Sequence, residues 1–338
     1  MRQRKYRSSR TGRATMADVG ALAGVSAITV SRAFKTPDKV TPELRERIRG
    51  AAQSLGYIPN RAASALAAAC SMNIVVLIPS MTNLVFVDLL AGIHEVLRPR
   101  GYQELIGVTG YAPAEEARLL DSYLEFQPDG LLITGLPGSW QRLQALGRPA
   151  VHMMELADHP GSYSVGLSQE AAGAVLARHL LARGYRRIGF VAAQLDPRTL
   201  ARAEGYRSVL RAAGLYDPMR ELLVPEPSSI SLGAGLLDRI LAQAPDCDAL
   251  FFCNDDLAQG ALFRCHRRGI AVPGDLAIAG FNDLPVSAWC TPSLTTIATP
   301  RYEIGREAAT MLLELLDGGK PVERRRDLGF TLMARESS

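Results

Sequence analysis

Six short apolar runs, separated by segments of helical periodicity, constrain the fold of this chain more than any other feature. They are IVVLI (74–78), GLLI (130–133), AVHMM (150–154), IGFV (188–191), ALFF (249–252) and LAIAG (276–280). Helices are expected between them near 87–99, 114–126, 170–183, 200–213, 231–244 and 255–268, each with apolar residues at three- and four-residue spacing. A further helix, 304–316, precedes a last strand around 327–332. Such alternation implies parallel sheets covered by helices, and it is too extensive for one small sheet, so two α/β lobes are expected. In doubly wound sheets ligands sit beyond the carboxyl ends of strands. The residues there are polar: PSMTN (79–83), AAQLDPRTLARAEGY (192–206), CNDD (253–256) and GFND (280–283).

The first 70 residues read differently. They hold 13 Lys/Arg against Asp18, Asp38, Glu43 and Glu46, a balance of +9, which leaves −5 for residues 71–338. Only the N-terminal part is suited to a polyanion. Residues 1–13 form a basic tail, and 14–59 read as three short helices. Thr15 caps the first, which runs to Ala23 with Val19, Leu22 and Ala23 on one side before Gly24 breaks it. Ser26 caps the second, Ala27 to Phe34, with Val30 and Ala33 or Phe34 inward. Thr41 caps the third, Pro42 starts it, Leu44, Ile48, Ala51, Ala52 and Leu55 face inward, and Gly56 stops it. Two helices around a glycine-containing turn make a helix-turn-helix.

The words ATMADVGALAGVSAITVSRAF and KVTPELRERIRGAAQSLGYIPNRAASALA closely resemble the headpiece of the lactose/galactose repressor (LacI/GalR) family. The remainder resembles that family's sensing domain, in its gluconate/ketogluconate-type branch, through DPRTLARAEGY, FFCNDDLAQGALF, RRGIAVPGDLAIAGFND and LTTIATPRYEIGREAA. The fold so implied is a small all-α helix-turn-helix headpiece, a hinge helix or linker over 60–71, and a two-lobed α/β, periplasmic-binding-protein-like sensing and dimerisation domain over 72–338. The implied function is a DNA-binding regulator, expected to repress sugar-acid genes. A homodimer would hold a near-palindromic double-stranded operator.

In that setting the second helix lies in the major groove, with Ala27, Ile28 and Arg32 directed at base edges. Arg32 is the residue fitted to guanine, since its guanidinium donates twice to O6 and N7. Ala27 and Ile28 offer only apolar contact and are also explained as ordinary helix residues. Thr15, Ser26, Thr29, Ser31, Lys35, Lys39, Tyr57 and Asn60 suit phosphate contacts. The segment from Asn60 through Ala63 and Leu66 is too short to hold a helix alone in water. By resemblance Leu66 is wedged into the central minor groove; otherwise it is a plain interdomain contact.

The same resemblance puts Arg202 and Asn254 in the ligand site, with Asn282 where relatives usually carry an aspartate. A neutral sugar is usually gripped by carboxylates together with an arginine, and here one acid is an amide. Arg198 and Arg202, four residues apart, face one way if their segment is helical, and together they favour a carboxylate. An anionic sugar is therefore expected, with a neutral sugar or a purine as alternatives. Arg198 also reads as a surface arginine paired with Asp196. Ser80, Asn83, Phe86 and Asp256 are further lining candidates, Phe86 being equally a core residue.

An enzyme is the rival from another class, suggested by Asp255, Asp256 and Asp283. No G-x-S-x-G, P-loop or G-x-G-x-x-G after a strand supports it, and Asp255 reads as a helix cap. The histidines are scattered, and the five cysteines show no CxxC, so reduced thiols and neither metal nor cofactor are expected. No apolar stretch is long enough to span a bilayer, and the basic N-terminus is not followed by a secretory apolar segment. A cytoplasmic protein is therefore expected rather than a periplasmic sugar-binding one. No heptad helix follows LGFTLMARESS, so a dimer is expected rather than a tetramer.

Overall fold

The structure, a computed structural model, describes residues 14–58, 70–135, 147–157, 159 and 161–338, without the side chain of Lys35. Asn60, Ala63 and Leu66 lie outside the described residues, as does the basic tail. The chain divides into two compact units, Met1–Ser71 and Met72–Ser338.

The first unit contains α1 (Met16–Ala23), α2 (Ala27–Lys35) and α3 (Pro42–Ser54). Each start is fixed by a hydroxyl that satisfies an otherwise orphaned amide. Thr15 and Asp18 form a reciprocal capping box on α1: the Asp18 N–H donates to Thr15 Oγ1 at 3.3 Å and the Thr15 N–H to Asp18 Oδ2 at 2.8 Å. Ser26 caps α2 through the Thr29 N–H, and Thr41 caps α3 through that of Leu44. Gly24, at φ +68°, turns the chain between α1 and α2 in a conformation that a side chain would strain. Val19, Ala23, Val30, Ala33, Val40, Ile48, Ala51 and Ala52 close a miniature core. Leu22 is not part of it: it is 46% exposed, because Val19 and Ala23, one turn apart, already span the inward stripe.

The second unit opens with a lobe of β1 (Asn73–Ile78), α4 (Val85–Leu97), β2 (Gln103–Val108), α5 (Pro113–Leu124), β3 (Gly130–Ile133), β4 (Ala150–Met153) and β5 (Tyr163–Gly166). A second lobe follows. It comprises α6 (Gln169–Ala182), β6 (Ile188–Ala193), α7 (Pro197–Ala212), β7 (Glu221–Val224), α8 (Ile230–Gln243), β8 (Ala249–Phe252), α9 (Asp255–Arg268), β9 (Ala277–Ala279) and β10 (Thr296–Ala298). The chain then returns to the first lobe with α10 (Arg301–Leu316) and β11 (Arg325–Asp327), and β12 (Thr331–Met333) pairs antiparallel with β10. The first sheet runs β11-β5-β4-β3-β1-β2 and the second β7-β6-β8-β9, with every pairing in both parallel.

Strands covered on both faces explain the unbroken apolar runs. In β1, Ile74, Val76 and Ile78 point into the core that includes Leu89 and Ile93 of α4, whereas Val75 and Leu77 pack with Leu120 of α5. Helices pair by close backbone approach at reciprocal glycines. A Cβ at Gly92 of α4 would collide with the Tyr302 carbonyl, and one at Gly305 of α10 with the Leu89 carbonyl. Gly173 and Gly205 do the same for α6 and α7, and Gly233 and Gly260 for α8 and α9.

Candidate functional site

In the first unit, α2 presents two faces. Val30 and Ala33 are buried, while Ala27, Ile28 and Arg32 are exposed and Ser31 is half-buried beside them. Ile28 is 67% exposed, which an ordinary core-facing residue would not be. Thr15 and Ser26 spend their hydroxyls on caps, Thr15 on Asp18 and Ser26 on Thr29. Phe34 leans on Tyr57, their ring centroids 6.1 Å apart, at the margin of the miniature core. Lys39 is exposed.

In the second unit the strand ends converge on a cleft of ≈ 450 Å³ of empty space, open to solvent. Of the sequence candidates, Asn83, Phe86, Arg198, Arg202, Asn254 and Asn282 line it. Ser80 and Asp256 do not; they line an adjoining recess that shares Asn83, Tyr111 and Gln194 with the cleft. Phe86 serves both of its readings, being buried in the core and lining the cleft.

Helix α7 brings the two arginines together. Asp196 is its N-cap, accepting from the Thr199 N–H at 2.9 Å on Oδ1 and from Arg198 Nη2 at 2.9 Å on Oδ2. Burial pushes the Asp196 carboxyl up, but the Arg198 guanidinium outweighs it and the net displacement is downward. Arg198 is therefore paired with Asp196, yet it is 5% exposed, so it is no surface residue. Burial disfavours its charge, which the carboxyls of Asp196 and Glu155 more than restore. Its Nη1 is buried and meets no partner among the described residues.

Arg202, one turn on, donates from Nε to Gln169 Oε1 at 2.8 Å and from Nη1 to the Cys253 carbonyl at 2.7 Å. Its guanidinium lies 3.8 Å from the centroid of the Phe281 ring. Both acceptors are neutral, and burial pulls this arginine down to about 10. Gln169 is itself fixed, its amide donating to the Met154 carbonyl at 2.9 Å.

Asn254 caps α9, accepting from the Leu257 N–H at 3.0 Å, and its amide donates to Ser228 Oγ at 2.8 Å. Asp255 is thus not the cap expected of it. It is fully buried and ties down the loop beyond β9, accepting from the Leu284 N–H at 2.7 Å, Ser287 Oγ at 2.9 Å and Thr296 Oγ1 at 2.7 Å. Asn282 sits at φ +117°, its N–H donating to the Ile297 carbonyl at 2.8 Å. Its Oδ1 is buried and unpartnered among the described residues.

Tyr111, Gln194 and Glu155 were not singled out in the sequence. Tyr111 and Gln194 line both cavities. Burial pushes the Tyr111 hydroxyl up, against the pull of Arg198. Glu155 directly follows the AVHMM run and faces Arg198 electrostatically; burial raises its carboxyl to about 6. Gln194 lies within the polar strand-end stretch 192–206, and Glu155 is legible by the same rule. Tyr111 follows β2, which carries no apolar run.

Among the described residues no group of three or more His, Cys, Asp or Glu side chains is arranged to hold a metal ion, and no single helix is long and apolar enough to cross a membrane. The family model described as bacterial regulatory proteins, lacI family, matches residues 15–60, and that of the periplasmic binding protein-like domain matches 177–338. The HTH-type transcriptional regulator GntR of Pseudomonas aeruginosa is 50% identical over 331 residues, 97% of this chain and 96% of that protein. The chain belongs to the lacI family. Its relatives are transcriptional regulators, and this lacI-family member is a DNA-binding regulator, not an enzyme.

Among solved structures, transcription regulator GntR from Chromobacterium violaceum is 56% identical, with a TM-score of 0.76 over 79% of this chain and 99% of that one. The lac repressor dimer bound to operator and the anti-inducer ONPF is 25% identical, with a TM-score of 0.84 over 96% of this chain and 99% of that one.

Proposed function

We propose that this regulator is a homodimeric repressor that binds a near-palindromic operator and releases it when a sugar acid of the gluconate/ketogluconate class enters the cleft. The carrying observation is the pair Arg198 and Arg202, one turn apart on α7. Both are buried at the cleft wall, Arg198 with an unpartnered Nη1 and Arg202 with only neutral acceptors. Such cations reward a carboxylate with charge-assisted hydrogen bonds. Asn282 and Asn254 supply amides for the sugar hydroxyls, in keeping with an anion where an added protein carboxylate would repel it. The resemblance to the gluconate/ketogluconate-type branch and the relatives named GntR support the same class.

On the DNA side, the exposed Ile28 and Arg32 of α2 support its reading as the helix that enters the major groove, Arg32 reading guanine. Thr29, Ser31, Lys35, Lys39, Tyr57 and Asn60 hold phosphates, with Thr15 and Ser26 acting through the helix starts they cap, and Leu66 of each subunit wedges the central step, Ala63 lying on the same segment. The lac repressor, solved as a dimer on its operator, supports the dimeric arrangement. The chain crosses between its lobes near 167–168, 299–300 and 328–330, a set of hinges by which occupancy of the cleft changes the angle between lobes.

The test is a thermal-shift and operator-binding screen of gluconate, 2-ketogluconate, glucose and purines. The sugar acids should raise the melting temperature and weaken operator binding, glucose and purines neither. Action by neutral sugars alone would refute the ligand class.

A further inference from the structure

We propose that Arg301 is the positioning residue that reports the state of Asn282 to helix α4: its guanidinium fastens the Asn282 carbonyl of the second lobe to the Asp88 carboxylate of the first. Arg301 opens α10, immediately after the chain crosses back from β10. It is 8% exposed, and its donors are divided between the lobes. Nε and Nη2 donate to Asp88 Oδ2 at 3.1 and 2.9 Å. On the other side Nη1 donates to the Asn282 carbonyl and to Thr299 Oγ1, the latter at 3.2 Å.

The two ends of this link differ in rigidity. Asp88 belongs to α4, which is interlocked with α10 where Gly92 and Gly305 let the backbones touch, so Asp88 and Arg301 belong to one packed pair of helices. The salt bridge fixes the plane of the guanidinium, and a planar fork has little freedom to swing once two of its nitrogens are held. The contact that spans the lobes is therefore Nη1 to the Asn282 carbonyl. Asn282 is held at φ +117° by that contact, by the Thr299 hydroxyl on the same carbonyl at 3.5 Å and by its own N–H to the Ile297 carbonyl, while the residue lines the cleft and its Oδ1 is buried without a partner among the described residues.

A ligand hydroxyl that reaches this oxygen acts on a residue whose carbonyl is tied across the lobes to Arg301. If the peptide turns, the carbonyl and the guanidinium separate or move together. Either way α4, whose Val85 and Phe86 line the same cleft one turn before Asp88, receives the change. A ligand shifts a two-state equilibrium only through contacts that differ between the states, and this interlobe bond is such a contact.

The choice of probe rests on the sugar-acid reading above. The experiment uses the full-length protein and a fluorescent operator duplex, with operator Kd measured with and without saturating gluconate and gluconate Kd by calorimetry. Asp88→Asn is the principal variant, since Asp88 is 46% exposed and the change leaves the packing intact; Arg301→Lys keeps the charge but lacks the fork. Couplings between sites typically span roughly 5- to 150-fold. Both variants should keep gluconate Kd and effector-free operator Kd within about threefold of the parent, while the gluconate-induced weakening of operator binding falls by about tenfold for Asp88→Asn and less for Arg301→Lys. An unchanged weakening in both variants overturns the proposal. So does a loss of weakening that merely follows a lost gluconate affinity. If glucose is the compound that weakens operator binding, the sugar-acid reading fails, and the same ratio taken with glucose still decides the role of Arg301.

Discussion

Replacing Arg202 by methionine separates the binding role of this residue from its structural one. The guanidinium gives hydrogen bonds to Gln169 Oε1 and the Cys253 carbonyl, each worth about 1.5–3 kcal/mol when the donor is charged. Its stacking on Phe281 adds about 2 kcal/mol, of which methionine keeps up to about 1.5 through its sulfur. Against these stands the burial that draws Arg202 down to about 10, equivalent to roughly 3 kcal/mol against the charged form. The net loss of stability is then only about 1–3 kcal/mol, a melting-temperature fall of roughly 2–10 °C for a domain of this size. The bound carboxylate loses a desolvated cation, about 2–3 kcal/mol, so gluconate affinity should fall by about 30- to 150-fold. Calorimetric titration and a thermal melt of the same sample measure both quantities. A folded variant that binds gluconate within threefold of the parent would refute the reasoning, because Arg202 would then be a structural residue whose charge the ligand never meets.

Arg32→Ala should weaken operator binding by about 1–3 kcal/mol and relax discrimination at one base pair per half-site, read by anisotropy on substituted duplexes, while Ile28→Ala costs less. Gly305→Ala should destabilise the sensing unit by about 1–3 kcal/mol in urea, because its Cβ meets the Leu89 carbonyl and the Ile93 amide rather than a yielding side chain. Gly50→Ala, in α3 where an added Cβ meets nothing, should instead strengthen its helix by about 0.5–1 kcal/mol, seen as slower amide exchange at Ile48 and Ala51. Glu155, raised to about 6, is favoured protonated in the folded protein, so its burial penalty is absent at pH below the unfolded carboxyl and complete once pH rises through about 6. Gluconate should therefore bind more tightly at pH 5.5 than at 7.5, and Glu155→Gln should flatten that dependence.

What the sequence carried, it carried through burial. The runs 130–133 and 249–252 coincide with β3 and β8, and the other four with β1, β4, β6 and β9 to within two residues at each end, because strands covered on both faces must be apolar throughout. The strands without such a signal are short or mixed: in β2, QELIGV lies at a sheet edge with most residues partly exposed, YSVG of β5 and ELLV of β7 are four residues each, and β10 and β11 are three. Their invisibility had a consequence for the cleft, since Tyr111 follows β2 and went unmarked with it. The pairing of Arg198 with Asp196 was legible from their two-residue spacing, but its depth was not. The pair feels the charge of Glu155, which comes from the other lobe, and no local pattern encodes such a meeting.

The cleft holds two buried arginines on one helix, and the proposed anionic ligand bears on how their charges are met. Two cations one helical turn apart repel, and burying them costs more than burying neutral side chains. Arg198 is offset by Asp196 at the helix cap, which it bonds directly, and by Glu155 two residues beyond β4, whereas Arg202 feels Asp196 from further off and, among the described residues, bonds a carbonyl and an amide oxygen beneath a ring face. The compensation is thus unequal, and the arginine left short is the one drawn down by burial. On the proposed sugar-acid reading, an entering carboxylate would complete the set at Arg202 and meet the unpartnered Nη1 of Arg198, whereas a neutral sugar would leave the deficit as it was. On that reading Glu155 competes with the ligand through its charge alone: ionised, it favours the Arg198 cation, and protonated, it leaves that charge to the ligand. Because Glu155 loses its charge only as pH falls through about 6, tighter gluconate binding on the acid side of that value, absent in Glu155→Gln, separates a ligand-facing arginine pair from one that serves packing alone.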